Sequence, residues 1–409
     1  MKVLLIILTA ILLIILAKTI WVVVMTKGIG SFETERKDIL SRRNFLLERV
    51  ITEPQDLIEA MPSAIGAHYQ GEWAIYSTSM LAAALVNTAI IYPETKEESL
   101  EAIDSLIRIT MSPELRWYDA STWGEDPLET LKGNNSHISY ISLLAWMISG
   151  YKTIGGDGRY NSLFDSLCEA MARRLKSSPN FNVTTFPGST VFIPDVLVAI
   201  VALSNYAKLN GGKYRDVVDG WLTNMKANHM DPKTGLIASV LSDSQRKGKG
   251  RALMGSYTSL SVYYLTFVDE EFAGDQYELL KKSFYKKGLF TGLREKIKGS
   301  KGGHYVIDSG PVLFGLSPSG TAFGIGGATF FGDDKTRTQF LRTGEWAGFS
   351  VGRKDTRHYL LADVALVGEA ITLAMRTAVS CLPIDATCTF MPLILQNQST
   401  SEFAYQSGE

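Results

Sequence analysis

The sequence predicts an all-α fold, an α/α toroid of the six-hairpin kind with short β pieces at its cavity mouth, preceded by one transmembrane helix. Three observations point there. Apolar residues recur at helical spacing along most of the 409 residues. The helical stretches pair up by length and are joined alternately by tight turns and by longer loops. One apolar run, Val3 to Met25, holds Lys18 as its single charge and is long enough to cross a bilayer. Inner and outer helices alternating around a ring would gather the longer loops at one mouth of a central cavity.

Residues 1–25 read as an uncleaved anchor, because the apolar run outlasts a signal h-region and no small-x-small site closes it. Residues 26–55 carry Glu33, Glu35, Arg36, Lys37, Asp38, Arg42 and Arg43, and read as a juxtamembrane linker turning helical near Ile39 to Val50. Residues 56–409 form the expected toroid domain. Its helices are predicted over 73–92, 96–111, 137–154, 159–177, 195–210, 214–228, 256–268, 273–286, 309–332, 335–346 and 359–379. Turn chemistry separates them at Gly155-Gly156-Asp157-Gly158, Asn210-Gly211-Gly212, Asp231-Pro232-Lys233-Thr234-Gly235 and Gly299 to Gly303. Extended pieces are expected at Thr184-Thr185-Phe186 and Leu236 to Leu241. Leu360 to Val379 is no second span, since Asp363, Glu369 and Arg376 interrupt it.

At 45% hydrophobic residues the chain can bury a large core, and a net charge of -1 argues against a nucleic-acid partner. The positive-inside rule, weighing Lys27, Arg36, Lys37, Arg42 and Arg43 against Lys2, places the domain in the cytoplasm. An exported domain would instead let Cys381 and Cys388 pair, so the side of the membrane stays open. With Cys168, these cysteines show no metal spacing. Nothing in the sequence sets an oligomeric state. No Gly-rich phosphate loop, HExxH or CxxC appears, which leaves cofactor-free, metal-free acid–base chemistry.

Residues suited to that chemistry cluster between Trp117 and Asp195. Asp119 and Glu125 sit in a loop bounded by Trp117 and Trp123, where a carboxyl pressed against indole can keep its proton. Asp126 and Glu129 read as a cap and a first-turn acid. His137 follows Ser136, a good N-cap, and so stands in a first helical turn as a proton relay or as a structural histidine. Asp195, after Phe186-Pro187-Gly188 and Pro194, reads as a helix cap that can also hold a substrate hydroxyl. Arg251 and Tyr257 flank Gly255-Ser256 and suit recognition of an anionic oxygen or protonation of a leaving hydroxyl. Asp308 opens a helix rich in glycine (Gly315, Gly320, Gly324, Gly326, Gly327), and His304 lies in the glycine-rich loop before it. Trp73, Tyr76, Trp117, Tyr118, Trp123 and Phe186 supply aromatic walls.

In succession, Trp123-Gly124-Glu125-Asp126-Pro127-Leu128-Glu129, His137 to Gly150, Gly158-Arg159-Tyr160 and Asp231-Pro232 with Gly235 resemble the linalool dehydratase/isomerase family from about Trp117 to Phe284, and more loosely from Asp308 to Asp333. That resemblance implies an α/α toroid and cofactor-free removal of water from a terpene alcohol. It implies for His137 the role of the family's active-site histidine and for Tyr257 that of an active-site tyrosine. Before the Val198 helix, where the family carries a Cys-Glu pair and a second Cys, this chain has Phe186-Pro187 and then Asp195.

Three functions are therefore in view. The first is a membrane-tethered lyase or isomerase acting on an alcohol, terpenoid or lipidic, with Asp195 and Tyr257 handling the hydroxyl and His137 moving a proton. The second is a carbohydrate-active enzyme, a glycoside hydrolase, uronyl hydrolase or epimerase, with Asp119 or Glu125 paired to Asp195 or Asp308. The third is a binding protein without catalysis. Paired carboxyls facing one cavity would favour the second; a single acid beside His137 and Tyr257 would favour the first.

Overall fold

A computed structural model describes residues 2–188, 190–241, 252–297, 309–312 and 314–379. Arg251, His304, Asp308, Cys381, Cys388 and the Gly299 to Gly303 turn lie outside the described residues.

The chain begins with α1 (Lys2–Met25), followed by α2 (Phe32–Val50), the short α3 (Pro54–Glu59) and the long α4 (Ala67–Ile91). There follow α5 (Lys96–Thr110), α6 (Pro113–Trp123), α7 (Ile138–Thr153), α8 (Asn161–Ser177), α9 (Ile193–Leu209), α10 (Arg215–Asn228), α11 (Gly255–Leu265) and α12 (Glu270–Phe284). The last are α13 (Pro318–Phe330), α14 (Asp334–Gly348) and α15 (Leu366–Arg376). Helices α4, α7, α9, α11, α13 and α15 each pack on the next, and α15 packs back on α4, so six inner helices close a ring. Outside them stand α5, α8, α10, α12, α14 and α2. This is the predicted α/α toroid.

Composition explains which helices go where. The inner helices are apolar all round: α7 buries nearly every residue from Ile138 to Thr153, and α9 nearly every one from Ile193 to Ala207. The outer helices α5, α8, α10 and α12 bury one stripe and leave charges outward. Glycines let α13 approach its neighbours closely. A Cβ on Gly326 would come within 2.5 Å of Met375 Sδ, and one on Gly327 within 2.8 Å of the Tyr277 ring.

The segment 26–55, expected as a linker, instead supplies the sixth outer helix. Ile39, Phe45, Leu46 and Val50 are core residues. The charges that suggested a solvated linker are buried in ion pairs: Glu35 meets Arg337 at 2.7 Å and Arg376 at 3.0 Å, and Arg42 meets Glu369 at 2.6 Å. They tie the first outer helix to the last elements of the ring. Burial alone would raise the Glu35 carboxyl, but the Arg337 and Arg376 guanidiniums outweigh it and hold the carboxyl down at about 2.

Other boundaries also shift. The glycine-rich helix starts at Pro318, capped by Ser317, rather than near residue 309. The last helix starts at Leu366 rather than at residue 359, because Leu360–Asp363 form a 3-10 turn after a hairpin of β5 (Ser350–Arg353) and β6 (Thr356–Tyr359); the earlier strands are β1 (Val191–Phe192), β2 (Val240–Leu241), β3 (Tyr285–Lys286) and β4 (Gly292–Leu293). β1 pairs with β2, β3 with β4 and β5 with β6, all antiparallel. The Leu236 to Leu241 expectation survives in β2, whereas Thr184-Thr185-Phe186 is bend and coil ahead of β1. These pieces lie in connections that lead from an outer helix into the next inner one.

Among the described residues two helices are long and apolar enough, by length and composition, to cross a membrane. α4 is mostly buried and serves as a ring helix; α1 is exposed along most of its length.

Candidate active site

The inner helices begin at one end of the ring, and a cavity of about 1080 Å³ opens among their first turns. One side of it is built by α4, α9 and α11. From α4 come His68, Tyr69, Glu72, Trp73 and Tyr76, spaced so that they share one helix face. Phe186, Phe192 and Asp195 come from the β1 connection and the start of α9, and Tyr257 from the first turn of α11. The other side is formed by Phe290, Phe314 and Trp346, with the starts of α13 and α15.

Asp195 is not the cap that its spacing suggests. Phe192 occupies the N-cap position and Pro194 the first turn, which leaves the Asp195 side chain turned to α4. There the Tyr76 hydroxyl donates to Asp195 Oδ1 at 3.2 Å. Burial, then the negative charge of Asp195, and further on that of Glu72, push the Tyr76 phenol well above its ordinary value. The phenol is therefore a fixed donor. The Tyr257 ring packs edge-on against Phe192, with centroids 5.7 Å apart. Its helix start is fixed by Glu295, whose carboxylate accepts from the Ser256 hydroxyl at 2.8 Å and the Ser256 N–H at 3.2 Å.

The structure brings together Trp73, Tyr76, Phe186, Asp195 and Tyr257 of the predicted site. His137, Asp119, Glu125, Trp117, Tyr118 and Trp123 do not line this cavity. The stretch read as a Trp-bounded loop is largely α6, started by Ser112, whose side chain accepts from Leu115 N, and ended by the left-handed Gly124. On it Trp117 points to solvent, while Tyr118 and Asp119 are fully buried. His137 is itself 0% exposed and is held at both nitrogens, Nδ1 to Asp119 at 2.5 Å and Nε2 to Glu125 at 3.2 Å, with Trp123 beside its ring. Burial raises the Asp119 carboxyl, against the hydrogen bond to His137, whereas the hydrogen bonds from His137 and Asn135 lower that of Glu125. Arg174 clamps the same turn by donating to the carbonyls of Thr130 and Ser136. This is a buried strut that fixes the entry to α7.

His68, Tyr69, Glu72 and Phe192 were missed by sequence reasoning. The signal was present for α4, since Tyr69, Glu72, Trp73 and Tyr76 follow an i, i+3, i+4, i+7 pattern, but the helix was started at residue 73. Among the described residues no group of His, Cys, Asp and Glu is arranged to hold a metal ion.

No protein-family model matches the chain, and no curated protein matches it. Solved structures similar to it include a family 105 glycoside hydrolase of C. acetobutylicum ATCC 824, at 14% identity and TM-score 0.47, over 73% of this chain and 92% of that one. A family 76 glycoside hydrolase from a bovine Bacteroides thetaiotaomicron strain has 12% identity and TM-score 0.45, over 74% and 68%. The unsaturated glucuronyl hydrolase of Bacillus sp. GL1 has 11% identity and TM-score 0.42, over 73% and 84%.

Proposed function

We propose that this chain is a cofactor-independent, carbohydrate-active enzyme that cleaves a glycosidic bond in the cavity at the mouth of its ring. The observation that carries the reading is that two carboxylates from different helices, Glu72 and Asp195, face one aromatic-walled cavity and both bear on Tyr76. Glycoside hydrolysis needs such a pair, one carboxyl to protonate the departing oxygen and one to activate water or stabilise the sugar cation. Asp195, held as an acceptor by Tyr76, takes the second role. Glu72 gives its proton to the leaving oxygen as the C–O bond breaks, and water supplies the hydroxyl to the sugar and restores that proton. Trp73, Phe186 and Tyr257 offer the stacking faces on which sugar rings rest.

The second reading is the alcohol dehydratase or isomerase implied by the resemblance to the linalool family. It keeps Asp195 and Tyr257, and the largely aromatic and aliphatic wall favours it. Its proton relay is weakened, because His137 lies behind the wall with Asp119 and Glu125 on its nitrogens.

The test is a screen of the full chain in detergent against chromogenic glycosides, oligosaccharides and terpene alcohols. Release of reducing sugar that is lost in Glu72→Gln and Asp195→Asn supports glycoside cleavage. Loss of water from an alcohol, with every glycoside inert, replaces it with the second reading.

A further inference from the structure

We propose that the mouth of the cavity rests on the bilayer entered by α1, and that the substrate is a glycolipid drawn from that bilayer. The glycolipid part of this inference rests on the glycoside reading; the bilayer contact does not.

The first observation is the direction of α1. Near its end Trp21 donates to Glu345 Oε1 at 3.1 Å and stacks on Phe349 at 5.0 Å. One turn earlier Lys18 lies over Phe349, 3.9 Å from the ring centroid. Beyond the other end of α1, Glu35 pairs with Arg337 near the start of α14, so moving back along α1 moves toward the C-terminal end of α14 and the two helices run antiparallel. Thr343, Gly344, Trp346, Ala347 and Gly348, at that end of α14, line the cavity. The preceding part of α1, exposed from Val3 to Ala10 and from Leu12 to Ala17, therefore projects past the mouth. The 15 residues from Val3 to Ala17 span roughly 22 Å at 1.5 Å each, so this part enters a hydrocarbon core of about 30 Å and reaches most of the way through it.

The second observation is where apolar side chains are exposed elsewhere. Outside α1, the exposed large hydrophobics among the described residues are Leu289, Phe314, Leu360, Leu361 and Val364, with Tyr69 and Trp117. Every one lies in a connection from an outer to an inner helix, or on α4 and α6 beside such a connection, which is the mouth end. Among the described residues, none lies at the opposite end. An apolar rim at the mouth end, beside an apolar helix that projects past it, is suited to contact with lipid.

The third observation is the cavity itself. Phe314, Leu361 and Val364 belong both to the rim and to the wall, so the apolar surface runs inward without a break. Phe290 packs on Phe314 and on Trp346 there. Three threonine hydroxyls on this side are engaged within the protein: Thr343 donates to Thr291 O, Thr372 to Gly368 O, and Thr321 accepts from Leu293 N. At about 1080 Å³ the cavity exceeds the roughly 300–1,000 Å³ of a site for one drug-sized ligand. A sugar at Glu72 and Asp195 with a hydrocarbon chain along Phe290, Phe314 and Trp346 would fill both sides.

The full chain, reconstituted in phosphatidylcholine vesicles that carry a diazirine on the acyl chain, is photolysed and its cross-links mapped by mass spectrometry. Cross-links at residues 289, 314 and 360–364 as well as in α1 are expected. Cross-links confined to α1, or mouth-to-mouth links between two copies of the chain, would overturn the bilayer contact even if glycosidase activity were found. The substrate arm compares one sugar on a short water-soluble aglycone with the same sugar on a lipid in the vesicles. Leu289 and Leu360 are 86% and 51% exposed and do not line the cavity. The Leu289→Glu, Leu360→Glu double variant should keep its rate on the soluble glycoside and lose at least tenfold on the vesicle substrate. Equal rates on the vesicle substrate for the double variant and the parent would overturn the glycolipid assignment; inertness toward both substrates alongside rim cross-links would sink the glycoside reading and leave the bilayer contact standing.

Discussion

Tyr76 on α4 donates its phenolic proton to Asp195 on α9 across 3.2 Å, joining two inner helices at the cavity wall. Burial, and then the charge of Asp195, keep the Tyr76 phenol protonated, so it has a proton to give to that carboxylate. Asp195→Asn keeps an acceptor for Tyr76 and removes the charge. Turnover should fall by about 10²- to 10⁴-fold, as for loss of a general acid or base. The melting temperature should change little, since a first-turn acid contributes only about 0.3–1 kcal/mol to its helix. Tyr76→Phe removes one hydrogen bond to a charged group, worth about 1.5–3 kcal/mol, so roughly a ten- to hundredfold loss in kcat/KM is expected. Full activity in Asp195→Asn would remove the catalytic carboxylate from the argument.

His137→Ala should behave in the opposite way. The ring is fully buried, held by Asp119 and Glu125, and backed by Trp123. Its removal leaves the Asp119 carboxyl buried without its ring partner and opens a void, at a cost of about 2–4 kcal/mol. Denaturant titration should show that loss, while kcat per folded molecule at low temperature stays near that of the parent. A variant with unchanged stability and lost turnover would restore His137 to the catalytic set.

What the sequence made legible follows from which interactions are local. The pairing of inner and outer helices, and nearly all their positions, are encoded in helical periodicity and in turn residues such as Gly155-Gly156 and Asn210-Gly211-Gly212. The charge-rich α2 was hidden because its charges are cancelled by residues some 300 positions away, Arg337, Glu369 and Arg376, and no local pattern reports that. Asp119 and His137 lie outside the cavity lining: an acid, a histidine and a tryptophan close in sequence also make a compact buried cluster. Glu72 drew no notice because an acid beside a tryptophan on a long apolar helix acquires meaning only when α9 brings Asp195 opposite it. The β5–β6 hairpin falls in the polar stretch between the predicted helices 335–346 and 359–379, where Gly352, Arg353, Lys354 and Asp355 leave no alternation of apolar residues to mark a strand.

The buried ion pairs of α2 predict how stability depends on acid. The Arg337 and Arg376 guanidiniums, against burial, hold the Glu35 carboxyl down from its ordinary 4.5 to about 2 in the folded protein. A depressed folded value means that the contribution is fully present above about 4.5 and is lost as pH falls through about 2. Asp38, lowered by Arg376, Arg42 and Arg357 against its burial, adds in the same direction. Unfolding free energy from urea titrations should therefore drop between pH 4.5 and 2. In Glu35→Gln, which is destabilised at neutral pH by loss of the charge partner to Arg337 and Arg376, that drop should be smaller. Parallel acid profiles for parent and variant would exclude Glu35 as a cause.

The start of α11 predicts a contrast between two glycines. A Cβ on Gly255 would stand 1.8 Å from the Arg294 carbonyl oxygen, a backbone atom that cannot rotate aside. The same residue donates to Glu295 O at 2.9 Å, and its neighbour Ser256 is held by the Glu295 carboxylate. Gly255→Ala must therefore push the first turn of α11 off the 292–295 connection, costing about 1–3 kcal/mol or more for the overpacking. Tyr257, two residues on, would move with it, so activity should fall along with stability. Gly368, on α15, has open space where its Cβ would lie. Gly368→Ala should leave stability unchanged or raise it by up to about 1 kcal/mol, the helical preference of alanine over glycine. Thermal melts of the two variants, with turnover measured below both transitions, check the pair of expectations; a Gly255→Ala protein as stable as the parent would show that α11 is not anchored at this contact.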